Sequence, residues 1–203
     1  MRKLWGRLTS VNVQKAVWAL DEAGLAYERI DAGGAHGVVD DPAYRAKNPN
    51  GLVPTLEEDG FVLWESNAIL RYVAAMAPSL APPADPRTRA HIEQWLDWQA
   101  TSFTPAMRDA FWQLYRSANS DRAVIDASVK RTEAFAAILD AHLTGRDYAV
   151  GDGFSIADIA LGCAAHRWLN LPAERIERPA LRRWYDRLAA RPGAARALGE
   201  PIS

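Results

Sequence analysis

The chain has 203 residues, 49% of them hydrophobic, which allows one large or two small domains with a sizeable core. Its 24 basic and 25 acidic residues leave a net charge of −1, so there is no electrostatic case for nucleic acid or an anionic membrane. The single cysteine, Cys163, excludes an intrachain disulfide, a cysteine-only metal site and a Cys-x-x-Cys redox pair.

In chain order, Lys3 to Leu8 reads as a short strand. Asn12 to Ala23 reads as a helix, with Val13, Ala16, Val17 and Leu20 on one face and Gly24 as its stop. Ala26 to Ile30 reads as a second strand, which makes a parallel pair joined by a crossover helix. Gly33 to Asp41 is loop, and Pro42 to Lys47 is a candidate short helix. Val53 to Glu57 and Phe61 to Trp64 form a hairpin around Glu58-Asp59-Gly60. Ser66, a good N-cap, opens a helix that runs to Met76. The sum is βαβ followed by ββα, a thioredoxin-like arrangement.

Residues 78–86 contain four prolines and read as the linker between two domains, 1–77 and 87–203. Beyond it the chain is an α-helical bundle. A long helix is expected from Arg87 to about Arg116, kinked at Pro105, whose missing N–H removes one helical bond. Further helices are expected over Asp121 to Leu143, Ser155 to Leu169 and Pro179 to Ala190. Ser155 and Asp158 stand in N-cap and N3 relation, flanked by Phe154 and Ile159. We assign that pair to folding.

Trp5-Gly6-Arg7 interrupts any apolar run near the start, so no signal peptide is expected there. No stretch reaches the roughly 18 apolar residues of a membrane-spanning helix. The expectation is a cytoplasmic protein. His91, His142 and His166 show no metal-ligand spacing, and no Gly-x-Ser-x-Gly hydrolase motif occurs. No metal is expected.

Two segments point to a site for a small peptide. In Asn48-Pro49-Asn50-Gly51-Leu52-Val53-Pro54-Thr55-Leu56, a turn leads into a Val-Pro step where proline's missing amide hydrogen leaves the strand ladder incomplete. A cis Val53-Pro54 bond would turn the Val53 backbone toward an extended ligand; a trans bond would be a plain strand start. In Trp64-Glu65-Ser66-Asn67-Ala68-Ile69, the helix start suits a carboxylate and Glu65 beside it an ammonium. A cap with a solvated glutamate is the alternative.

These motifs, together with Thr9-Ser10-Val11-Asn12 near the N-terminus and Gly153-Phe154-Ser155-Ile156-Ala157-Asp158, occur in an order that resembles the cytosolic glutathione transferases over nearly the whole chain. The resemblance implies attack by a glutathione thiolate on an electrophile such as an aryl halide, an epoxide, a peroxide or a disulfide. It implies glutathione as co-substrate and a homodimer. Aligned on Gln14-Lys15, Ser10 is similar in position to the catalytic serine of the plant-type classes. Ser10 with Asn12 resembles the Thr and Asn of a bacterial class. Ser10 is placed ahead of Asn12 as thiol donor, although both are also ordinary caps. No tyrosine lies near this turn. Val53 is implied to pair with the cysteinyl unit, Glu65 and Ser66 to hold the γ-glutamyl head group, and His36 or Lys47 to bind the glycyl carboxylate. Phe103, Met107, Arg108, Trp112 and Tyr115 are candidates for the second substrate, at least half of them expected to be packing. The alternatives are a non-catalytic scaffold on the same fold and a glutathione-dependent isomerase or lyase.

Overall fold

The computed structural model describes residues 1–200 and 202. The chain divides into two compact units. The first contains Met1–Pro82 together with residues 191–200. The second contains Pro83–Ala190.

In the first unit, strands β1 (Lys3–Trp5), β2 (Glu28–Ile30), β3 (Thr55–Glu58) and β4 (Phe61–Trp64) form one sheet in the order β2-β1-β3-β4. β1 is parallel to β2 and antiparallel to β3, and β3 is antiparallel to β4. Leu4 stands opposite both Arg29 and Leu56 and is fully buried, so the shared central strand carries the core. Helix α1 (Val11–Glu22) covers the crossover and buries Val13, Ala16, Val17 and Leu20, the apolar stripe that its sequence shows. A short helix α2 (Pro42–Arg45) precedes β3, and α3 (Ser66–Met76) packs on α1 through Ile69, Leu70 and Val73. Gly6 follows β1 with φ 149°, and a Cβ there would lie 2.4 Å from the Val13 side chain. Only glycine lets α1 seat this closely on the strand end.

The second unit is helical: α4 (Pro86–Trp98), a single turn α5 (Thr104–Ala106), α6 (Arg108–Tyr115), α7 (Arg122–Leu143), α8 (Ile156–Asn170) and α9 (Pro179–Ala189). α8 is buried nearly all round, Cys163 included, and is the central element of the unit.

Three differences from the sequence expectation have physical reasons. The expected long helix from Arg87 is interrupted twice. It widens into a π-helical turn at Gln99–Phe103, just before Pro105, and breaks again at Met107. Pro105 has no N–H to give the carbonyl four residues back, and a π turn is one way to absorb that loss. The second break is repaired from another helix. Ser128 of α7 donates its hydroxyl to the Ala106 carbonyl at 2.6 Å and accepts the Ala110 N–H at 3.1 Å.

The second difference is the domain limit. The C-terminal residues do not all belong to the helical unit. Helix α10 (Ala194–Leu198) packs on α1, with Ala194 and Ala197 buried. Arg191 pairs with Glu22, and Arg196 reaches the Tyr27 hydroxyl at 3.2 Å. Third, the proline-rich segment is partly structured. Pro78–Leu80 forms a 3-10 turn with Leu80 buried, and Asp85 caps α4 by accepting the N–H groups of Arg87 and Thr88.

Candidate active site

A small cavity of about 60 Å³ in the first unit is lined by Asn12, Asn48, Asn50, Leu52, Val53, Pro54, Glu65 and Ser66. It brings together the starts of α1 and α3 and the turn before β3. Two helix N-termini therefore offer unfilled N–H groups and partial positive charge to one small space.

The turn is built from its own residues. Asn48 is 2% exposed; its amide nitrogen donates to the Leu52 carbonyl at 2.9 Å and to the Thr55 hydroxyl at 3.1 Å. Its side-chain oxygen accepts the Asn50 N–H at 3.1 Å. Tyr44 from α2 donates to the same Leu52 carbonyl at 2.7 Å, and burial raises its pKa. At Gly51 the backbone has φ 62°, a left-handed conformation that favours glycine in this turn. The Val53–Pro54 bond is cis. Neither the N–H nor the C=O of Val53 has a hydrogen-bond partner among the described residues.

At the start of α3 the cap lies one residue earlier than the sequence suggests. Glu65 is the N-cap and Ser66 the first helical residue. Glu65 has φ 71° and ψ 113°, a backbone region that costs a side-chain-bearing residue on the order of 1–3 kcal/mol. Its carboxylate is exposed and makes no cap bond. Ser66 is buried except toward the cavity, and its hydroxyl makes no hydrogen bond within the described residues. Just beyond it, Asn67 accepts a hydrogen bond from the ammonium of the buried Lys15 at 2.9 Å, a partly buried link between α3 and α1.

At α1, Ser10 is the N-cap in position, yet its side chain makes no cap hydrogen bond. The capping alternative therefore does not consume the Ser10 hydroxyl. Asn12 lines the cavity and Ser10 does not. Lys47 and His36 also lie off its wall. The Lys47 ammonium donates to Glu57 at 2.6 Å and sits 4.6 Å from the Trp5 ring centre. Hydrogen bonding from Lys47 holds the Glu57 carboxyl below its ordinary pKa, and Trp5 adds to this. His36 ends an exposed 3-10 turn at Gly34–His36.

In the second unit the candidate second-substrate residues separate. Phe103 and Met107 are fully buried, and Phe103 stacks on Trp98 at 5.5 Å, so these two are packing residues. Arg108 is exposed, Trp112 is 56% exposed, and Tyr115 is half-buried against Phe111 with its pKa raised by desolvation.

Asn48, Asn50, Leu52 and Pro54 belong to the turn motif in the sequence, but their place on the cavity wall does not follow from it. The usable signal was Asn48 itself, an Asx residue opening a Pro- and Gly-containing turn, where its side chain replaces backbone partners. Among the described residues no group of three or more His, Cys, Asp or Glu converges as metal ligands would, and no helix is long and apolar enough to cross a membrane.

A sheet of this topology with a helix-start cavity beside a cis Val-Pro step, followed by a helical unit, defines a class of protein also found by comparison. Residues 2–75 match the glutathione S-transferase N-terminal domain and residues 103–192 the glutathione S-transferase C-terminal domain. The chain is 40% identical to glutathione S-transferase GstB of Escherichia coli K12 over the full length of both. It is 31% identical to the probable glutathione S-transferase GSTF2 of Oryza sativa subsp. japonica, over 95% of this chain and 93% of that one. It also superposes on the theta class glutathione S-transferase of Xanthomonas axonopodis pv. citri with glutathione bound, with a TM-score of 0.95 and 44% identity, covering 100% of this chain and 99% of that one. The chain belongs to the glutathione S-transferase family.

Proposed function

We propose that this transferase binds glutathione along the cavity at the starts of α1 and α3 and ionises its thiol for attack on a small electrophile. One observation carries the reading. Asn12, the Val53 backbone, Glu65 and Ser66 line one cavity, and among the described residues the side chains of Asn12, Glu65 and Ser66 and the N–H and C=O of Val53 make no hydrogen bond. Groups left unpaired around a common space are what a polar ligand needs.

The roles follow from chemistry. Val53 pairs its N–H and C=O with the cysteinyl unit, adding a strand-like segment to the sheet. The Ser66 hydroxyl and the α3 N-terminus take the γ-glutamyl carboxylate, and Glu65 takes the ammonium. Lys47 is assigned the glycyl carboxylate in preference to His36. It directly precedes Asn48 of the cavity wall, and an ammonium keeps donors beyond the one given to Glu57. Arg108, Trp112 and Tyr115 are assigned to the electrophile, since they still reach solvent.

A free thiol has a pKa near ~8.5, so at neutral pH little of it is ionised. Hydrogen-bond donors at a helix start stabilise the sulfur anion and lower that value. The Ser10 hydroxyl is uncommitted at that position and is assigned as main donor, with the Asn12 amide beside it. The thiolate then forms the sulfur–carbon bond as the leaving group departs or a strained ring opens, and the thiol proton passes to solvent. Homodimers in the cytoplasm complete the proposal. The outer strand β4 presents Phe61 and Trp64 partly exposed, and the lone thiol of Cys163 suits a reducing compartment. Light scattering should give twice the chain mass.

The test is calorimetric titration with glutathione in two buffers of different ionisation enthalpy near neutral pH. Binding with net proton release is expected. Binding without release would remove thiol activation from the reading, and absence of binding would overturn it.

A further inference from the structure

Helix α1 has twelve residues, a rod of roughly 18 Å at about 1.5 Å per residue. Its start carries the residues assigned to the thiol. Its last turn is gripped by the C-terminal segment 191–198, which belongs to the same compact unit. Arg191 meets both carboxylate oxygens of Glu22, the last residue of α1, with Nε at 3.3 Å and with a second guanidinium nitrogen. The Trp18 indole, one turn earlier, donates to the same carboxylate at 3.3 Å. The Arg191 and Glu22 side chains are only 29% and 12% exposed, so this forked pair is partly sheltered from water.

The backbones come equally close. A Cβ at Gly193 would lie 2.9 Å from the Glu22 Cα and 3.0 Å from its N, atoms of a helix that cannot give way. Glycine is needed there for space alone, since its φ of −66° suits any residue. Helix α10 then packs on α1 with Ala194 and Ala197 fully buried. Arg196 donates to the Tyr27 hydroxyl at 3.2 Å, and its Nε lies 3.6 Å from Asp21. A single exposed pair would be worth little. Here a forked ion pair, a backbone contact and two buried alanines all act on the end of α1.

We propose that residues 191–198 are a clasp that sets the position of α1, and that Arg191 is thereby a positioning residue for thiol activation at the other end of the helix. A helix tilts as one body. A tilt of about 3° over roughly 18 Å moves the far end by about 1 Å, and a misplacement of that size can cost about a hundredfold in rate. Arg191 does not line the cavity assigned to glutathione and acts on it through α1. This role rests on the assignment of the thiol to the start of α1.

The test is Arg191→Gln in the full chain, read in two ways. The first is the pH dependence of turnover with an aryl halide at saturating glutathione, whose acid limb reports ionisation of the bound thiol. That limb should move up by about one pH unit, so that turnover falls about tenfold on the acid side and recovers at alkaline pH. A mere loss of folded protein would lower the whole profile instead. Arg191→Lys, which keeps the charge, should move the limb less. The second is hydrogen exchange without glutathione at residues 14–17, where the amides of α1 first bond within the helix. It should quicken about tenfold. Arg196→Gln alters a side chain more than half exposed, should move both readouts in the same direction, and decides the matter if Arg191→Gln does not fold. Exchange that changes only near Glu22 would overturn the clasp. Faster exchange at 14–17 with an unmoved acid limb would leave the clasp standing and overturn the assignment of the thiol to α1.

Discussion

Asn12 and Ser66 occupy the first turns of two different helices and line the same cavity, each with its side-chain polar group unspent among the described residues. The fold thus aims two helix starts, with their N–H groups and partial positive charge, at one space. The division of labour proposed for them is separable. The α1 side acts on the sulfur, and the α3 side holds the head group.

The α1 side should show itself in turnover. Ser10→Ala is expected to lower turnover about a hundredfold, in the range for removing one donor from a developing anion, with glutathione affinity nearly unchanged. Asn12→Ala should cost less in turnover. The check is steady-state kinetics with a chromogenic aryl halide beside equilibrium glutathione titration. If Asn12→Ala has the larger effect, the thiol role moves to Asn12, the residue on the cavity wall.

The α3 side should show itself in affinity, and Glu65 offers a sharper test than simple truncation. Its backbone at φ 71° is unfavourable for any residue with a Cβ and tolerable for glycine. Glu65→Gly should therefore raise stability by about 1 kcal/mol while weakening glutathione about tenfold or more. Denaturant unfolding and glutathione titration of the same variant read the two effects. Loss of stability would show that Glu65 is held for structural reasons; unchanged affinity would remove it from the head-group site.

Much of this arrangement is legible in the sequence because its causes are local. Apolar spacing marks α1 and α3, the Asp59-Gly60 turn marks the β3–β4 hairpin, and the Val53-Pro54 and Glu65-Ser66 pairs mark the cavity. What escapes the sequence depends on distant partners. The Asn48 amide is fixed by Leu52 and Thr55, the break at Met107 is tolerated because Ser128 reaches it from α7, and α10 is assigned to the first unit by Glu22 and Tyr27. The Ser10 hydroxyl is a different case. Its residue type predicts a cap and its backbone takes the cap position, yet its side chain does not make the cap bond.

The repair by Ser128 predicts its own cost. Ser128→Ala would leave the Ala106 carbonyl and the Ala110 N–H unpaired inside a buried junction. A loss of about 1–3 kcal/mol is expected. Denaturant unfolding measures it; a change below about 0.5 kcal/mol would mean that the junction finds other partners.

Asp158 should be the costliest single position in the helical unit. One carboxylate oxygen accepts the Ala149 N–H at 2.8 Å and the indole N–H of Trp184 at 3.0 Å, and the other accepts the Ser155 N–H at 3.0 Å and the Ser155 hydroxyl at 3.2 Å. It ties the start of α8 to α9 and to the loop before it. Asp158→Ala strands the Ala149 and Trp184 N–H groups in a buried place and takes the partner from the Ser155 N–H and hydroxyl as well, and a loss of about 3 kcal/mol or more is expected. Asp158→Asn should also lose stability, because an amide has only one acceptor oxygen: if it takes the Ala149 and Trp184 N–H groups, its NH2 faces the Ser155 N–H. A variant that melts like wild type would contradict the role given to this side chain.

The Lys47–Glu57 pair makes a prediction with a definite sign. Glu57 has a pKa below its ordinary value in the folded chain, chiefly through the hydrogen bond from Lys47. A carboxyl lowered on folding contributes stability that is fully present above its unfolded pKa, near ~4.3, and is lost as pH falls through the lower folded value. In that acid window the unfolded chain takes up the proton first, so stability must fall with falling pH. Glu57→Gln removes the titration and should flatten the slope of unfolding free energy between about pH 5 and pH 3, while lowering stability at pH 7. Chemical denaturation across that range compares the two proteins. Parallel slopes would show that the Lys47 contact does not favour the ionised form of Glu57 in solution. The same variant frees the Lys47 ammonium, and if Lys47 binds the glycyl carboxylate, glutathione affinity in Glu57→Gln should hold or rise, whereas Lys47→Ala should lower it.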